Sequence, residues 1–214
     1  MNFNAVILLI TVFFMIVTIV LGRCIVIKEE DKYSFLRNFP FELRTKDNYG
    51  LNLLFKIVLG LSVGLMMFSS YLTFFIDNDI FTSKFISVFL ILDSLAYLTL
   101  FLFDTTSYKI HVGIASVFFA FNIAVYFILG YLAIRDNFQI VPLGVCVVSF
   151  IIFGLLIIIN FLPSLSNWYR LKKENNNKGT VYTRGKVFTL ALVEWINVFS
   201  IILFYIILFI YKIA

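Results

Sequence analysis

The stretch "FISVFLILDSLAYLTLFLF", residues 85–103, decides the fold. Asp93 is its one charged residue; the rest is apolar, aromatic or hydroxylic. As a helix rising 1.5 Å per residue it would extend ~28 Å, close to the ~30 Å hydrocarbon core of a bilayer. It lacks the strict alternation of a barrel strand, and in lipid every backbone polar group must be paired within its own segment or a closed barrel, so a helix is the reading.

The remainder of the chain repeats this pattern. Hydrophobic residues make up 62% of the 214 and charged residues 14%, whereas a soluble domain runs at about half and a quarter. Six stretches are long enough to cross a membrane, near 5–22, 52–76, 80–103, 112–134, 141–163 and 187–211. The expected fold class is therefore all-α, a polytopic integral membrane protein with six transmembrane helices in one bundle spanning residues 1–214. Short connections around Asp77, Asp104 and Arg135 make their flanking helices antiparallel neighbours.

Basic residues in short loops are retained on the cytoplasmic side. Six lie in the loop 23–51 and six in the loop 164–186; with Lys56 and Lys109, 14 of the 17 share one side. That asymmetry puts both termini on the non-cytoplasmic side and suggests the plasma membrane. The short, uncharged start Met1–Asn4 permits this, and no basic region precedes the first apolar run as a cleaved signal would require. Leu21-Gly22-Arg23-Cys24 only loosely resembles a lipoprotein box, and Cys24 reads as an unmodified thiol more readily than as an acylated one.

Composition excludes several classes. Cys24 and Cys146 belong to opposite halves of the membrane, too far apart for a disulfide. A lone His111 offers no metal or haem ligand set and reads as a satisfied interfacial side chain. Walker, dinucleotide and nucleophile-elbow motifs are absent, so no metal, cofactor or nucleotide chemistry is expected. The net charge of +5 reads as attraction to anionic headgroups, with Arg37, Arg44, Lys172 and Lys173 as contacts, and not as nucleic-acid binding. "YSFLRNFPFELR" (33–44) reads as an aromatic belt against the cytoplasmic leaflet, and "KKENNNKGT" (172–180) as a mobile polar loop.

Close helix contact in lipid depends on small residues. Gly60 and Gly64, and Ser116, Ala120 and Ala124, have the required spacing of four. These are expected to join helices within the chain, with contact to a partner as the other reading.

Asp93 is matched by Glu194, in "LALVEWINVFS". Counting from the cytoplasmic helix ends puts both ~11–15 Å deep, with Tyr97, Asn122, Tyr126 and Asn197 as supporting polar groups. A carboxylate at a helix centre costs about 2.5–3.5 kcal/mol on insertion scales, so both should face protein or water. Three outcomes follow: a shared site for a proton or cation, structural hydrogen bonding, or pairing with a base on another chain. The leading expectation is a small membrane transport-type protein, or a membrane subunit of a transporter, in which Asp93 and Glu194 handle a proton or cation. The alternative is a non-transporting assembly, scaffold or regulatory subunit of a larger membrane complex, contacting another membrane protein or a cytoplasmic protein docked on loops 23–51 and 164–186. An enzyme is the less favoured class, since only an acid-only mechanism on the two carboxylates stays open.

Overall fold

The computed structural model describes residues 3–29, 33–43, 48–76, 81–103, 108–135, 137, 143–161, 172–176, 179–183 and 187–213. Six helices form: α1 Phe3–Glu29, α2 Tyr49–Ser70, α3 Phe81–Leu102, α4 Tyr108–Arg135, α5 Leu143–Asn160 and α6 Thr189–Ile213. All six are long and apolar enough to cross a membrane, which is consistent with a multi-pass membrane protein. Asn48 starts α2 by accepting a hydrogen bond from the Leu51 amide at 3.1 Å, satisfying one of the free N–H groups of the first turn. α2 continues as a π-helical turn, Tyr71–Ile76. α5 ends at Asn160, three residues before Pro163 in the sequence, and proline lacks the N–H that a helix interior needs.

α6 is the central helix. It lies against α1, α4 and α5, while α3 joins α2 to α4. Of its most apolar stretch 61% is buried, against 17% for α5, which leaves α5 at the periphery. Glu194, Asn197, Val198, Ile201, Tyr205 and Leu208 recur at three- and four-residue spacing along its buried face.

The segment 33–43 differs from the expected surface belt. Tyr33, Phe39, Phe41 and Leu43 are buried, while Leu36 and Arg37 stay exposed. A 3-10 turn, Pro40–Leu43, is secured by the Glu42 carboxylate, which accepts from the Phe39 amide at 2.8 Å. The Trp195 indole donates to Asn38 O at 2.8 Å, the Phe188 amide donates to Leu36 O at 2.8 Å, and the Tyr33 hydroxyl donates to Phe39 O at 3.2 Å. Burial first, and the Glu42 carboxylate second, hold the Tyr33 phenol above its ordinary pKa. The apolar side chains turn inward because the open end of a six-helix bundle can bury them as fully as lipid would, with hydrogen bonds added.

The small-residue seams also differ from expectation. Gly60, Gly64, Ser116 and Ala120 are exposed and Ala124 is only partly covered; at both glycines an added Cβ would meet nothing within 4 Å. No described helix of this chain covers Gly60 or Gly64. The tight packing falls instead at Gly22, where an added Cβ would stand 2.8 Å from Leu43 Cβ, and at Gly130, where it would stand 2.7 Å from the Phe150 ring. The region read as a mobile loop contains an antiparallel hairpin, β1 Lys172–Asn176 paired with β2 Gly179–Thr183. Lys172 and Lys173 lie on β1; Arg44 falls outside the described residues.

Candidate functional site

Three groups of buried polar side chains contain the candidate residues. The first is at the end of the bundle closed by segment 33–43. His111, four residues into α4, and Glu194, six residues into α6, are both fully buried. His111 Nε2 stands 3.0 Å from Glu194 Oε1, and Nδ1 stands 3.1 Å from Phe103 O. A carbonyl can only accept, so Nδ1 carries a hydrogen, and a second proton lies between Nε2 and Oε1. The rings of Phe39 and Phe41 meet the imidazole edge-on at 5.4 and 5.2 Å. His111 is thus a satisfied side chain, as expected, and it is buried, with Glu194 as its partner.

One to two turns deeper, amides knit three helices together. The Asn122 amide donates to Asn197 O at 2.9 Å and also to Ser200 Oγ. Asn197 and Asn160 exchange amide hydrogen bonds at 2.8 and 3.3 Å, tying α5 to α6. The Tyr126 hydroxyl donates to Ser200 O at 2.6 Å. Asn122, Tyr126 and Asn197 therefore meet one another, and Asn160 and Ser200 join them.

Asp93 forms the third group. It is fully buried, and neither carboxylate oxygen has a hydrogen-bond partner among the described residues. Tyr97, one turn along α3, is also fully buried and its hydroxyl likewise lacks a partner. The Asp93 carboxyl is within electrostatic reach of Tyr126 on α4 and Tyr205 on α6. The Tyr205 hydroxyl shares a hydrogen bond with Ser70 Oγ at 2.8 Å and donates to Met66 O at 3.0 Å, with Ser69 and Ser94 beside it.

The two acids do not share one site. The Phe101 and Trp195 rings touch, with centroids 6.2 Å apart, which sets residue 101 of α3 level with residue 195 of α6. Asp93 precedes Phe101 by eight residues, so it lies ~12 Å deeper than Glu194. The common depth expected from sequence is corrected for this reason: it takes the adjoining ends of α3 and α6 to lie at one level, and they do not. Counted in the same way, His111 is the residue that matches Glu194.

Compared with protein-family models, curated proteins and solved structures, the chain has no significant match.

Proposed function

We propose that the chain is a small membrane transport-type protein, itself a carrier or the membrane subunit of one, in which Asp93 handles a proton or cation within the bundle. The observation that carries this is the fully buried carboxyl whose oxygens have no hydrogen-bond partner among the described residues. An ionised carboxylate in that setting costs several kcal/mol unless something compensates it. Intramembrane acids that are not structurally satisfied mark ion pathways by default. The Asn122, Asn197, Ser200 and Tyr126 chain supports the same reading, because it carries polar groups along α6 between the His111–Glu194 pair and Asp93. In this reading the loops 23–51 and 164–186 face the cytoplasm and contact anionic headgroups, both termini face the opposite side, and the membrane is the plasma membrane.

The test is charge movement in proteoliposomes after a cation or pH jump. Wild type should give a transient current and Asp93→Asn should not, with both proteins folded by circular dichroism and gel filtration. Equal currents in the two proteins would refute the role of Asp93.

A second reading, a non-transporting assembly, scaffold or regulatory subunit, is favoured by the uncovered Gly60–Gly64 face. Under it the protein co-purifies with a membrane partner in mild detergent, Gly60→Leu releases that partner, and no current appears.

A further inference from the structure

We propose that His111 and Glu194 hold one exchangeable proton between them and that segment 33–43 is the lid over it. This deepens the transport reading and rests on it, adding a proton-binding site ~12 Å from Asp93 along the bundle. His111 Nδ1 donates to Phe103 O at 3.1 Å, and Nε2 and Glu194 Oε1 stand 3.0 Å apart. With a proton between them the pair is neutral overall, whether written as imidazolium and carboxylate or as imidazole and carboxylic acid. Without it two acceptors would face each other and the site would hold a buried negative charge. Both side chains are fully buried, so the proton stays while the site is dry and leaves when water can solvate the charge that remains.

Segment 33–43 controls that water. Phe39 and Phe41 stack on each other at 5.5 Å and meet the imidazole with both rings. They pack with Leu190, Ala191 and Phe188 in a small apolar cluster of their own, whereas Tyr33 and Leu43, at the ends of the segment, belong to the main core. The ends are anchored and the middle is packed separately, so the middle can lift without opening the bundle. Two hydrogen bonds from α6 and the residue before it hold it down: the Trp195 indole to Asn38 O and the Phe188 amide to Leu36 O, both at 2.8 Å. Trp195 directly follows Glu194, so lid and pair meet on one turn of α6. Tyr33 and Glu42 of the segment and Arg23 of α1 share the electrostatic neighbourhood of Glu194; Arg37 is exposed, and Asp93 and Tyr97 of α3 lie deeper.

The lid is tested by chemical modification, because His111 is the only histidine in the chain. The purified protein in detergent is treated with diethyl pyrocarbonate, and the rate at His111 is read by mass spectrometry. Wild type should react slowly. Trp195→Phe, which lacks the indole donor to Asn38 O, should react about fivefold faster, and Phe39→Ala at least about tenfold faster. Leu156→Ala, which opens a cavity at a buried position of α5, should react at the wild-type rate. Equal rates in wild type and both lid variants, or rates that follow overall stability in all three variants, would overturn the lid.

The proton is tested by pH-jump currents in proteoliposomes, on proteins whose folding is checked by gel filtration. Glu194→Gln can still accept a hydrogen bond from His111 but cannot release a proton, and it should cut the current at least about tenfold. His111→Gln should do the same, and the two variants together keep the test decisive should one fold poorly. A wild-type current in either variant, or a current driven by cation jumps alone, would overturn the proton site and leave the role of Asp93 standing. No current in any protein, wild type included, after either a pH or a cation jump would overturn both.

Discussion

Substituting Gly22 by alanine asks whether the segment 33–43 is part of the bundle. The added Cβ would sit 2.8 Å from Leu43 Cβ, 2.8 Å from Phe55 Cε2 and 3.2 Å from Leu43 O. Carbon pairs are best separated by ~3.5–4.0 Å, so the two carbon contacts are each too close by at least ~0.7 Å. Leu43 and Phe55 are both fully buried, and Leu43 Cβ cannot retreat without moving the 3-10 turn that carries it. Overpacking of this kind costs about 1–3 kcal/mol, while alanine returns up to ~1 kcal/mol of helix propensity. A net loss of ~1–2 kcal/mol is expected, a ~5–30-fold change in the folding equilibrium. Gly60→Ala is the control: it has the same propensity gain and open space around it, so it should be neutral or slightly stabilising. Equilibrium unfolding of both variants in mixed micelles measures the difference. If Gly22→Ala matched Gly60→Ala, the turn would not lie against α1, and the aromatic segment would belong at the lipid surface after all.

Other residues offer independent checks. Asn122→Ala removes the donor to Asn197 O and Ser200 Oγ and should destabilise by about 1–2 kcal/mol, the upper range for interhelical hydrogen bonds in membranes; a loss below ~0.3 kcal/mol in the same unfolding assay would count against the amide network. In double-mutant cycles, His111→Ala and Glu194→Gln should couple by at least ~1 kcal/mol, whereas Asp93→Asn and Glu194→Gln should be additive within ~0.5 kcal/mol. The reverse pattern would restore a shared two-acid site. Cys24 is exposed and Cys146 buried, so a maleimide should label the native protein at Cys24 alone, and mass spectrometry of the labelled peptides reads this directly.

The six helices were legible because transverse length and apolarity are properties of each segment alone, as in residues 85–103. What the helices do to one another depends on rotation about their axes, which hydropathy does not fix. Gly60 and Gly64 show this: their spacing is right for a seam, yet they point outward, while isolated Gly22 and Gly130 make the close contacts. The sequence marks 33–44 as aromatic and Pro40 as a helix breaker, but composition does not distinguish rings sunk in lipid from rings packed between helices. In the loop 164–186, Val181, Tyr182 and Thr183 are strand-forming residues, a signal outweighed in the sequence by the polar run before it. At the site, Asn197 is marked in the sequence by its place after Glu194 on one helix face, and Asn122 and Tyr126 by their depth. Depth in the sequence pairs Glu194 with Asp93, whereas the structure pairs it with His111, which draws no attention in the sequence because one histidine makes no metal site. Pairing with a carboxylate needs only one, and the two stand close to the same end of their helices.

Infrared difference spectroscopy of the carboxyl groups addresses Asp93 itself. Spectra of the membrane-reconstituted protein, recorded with and without sodium and repeated across a pH step, should contain a carboxylate or carboxylic acid band that responds to one of these ligands and disappears in Asp93→Asn. Difference spectra that are superimposable for wild type and Asp93→Asn would mean that this buried acid binds neither proton nor cation, contradicting its role in ion handling.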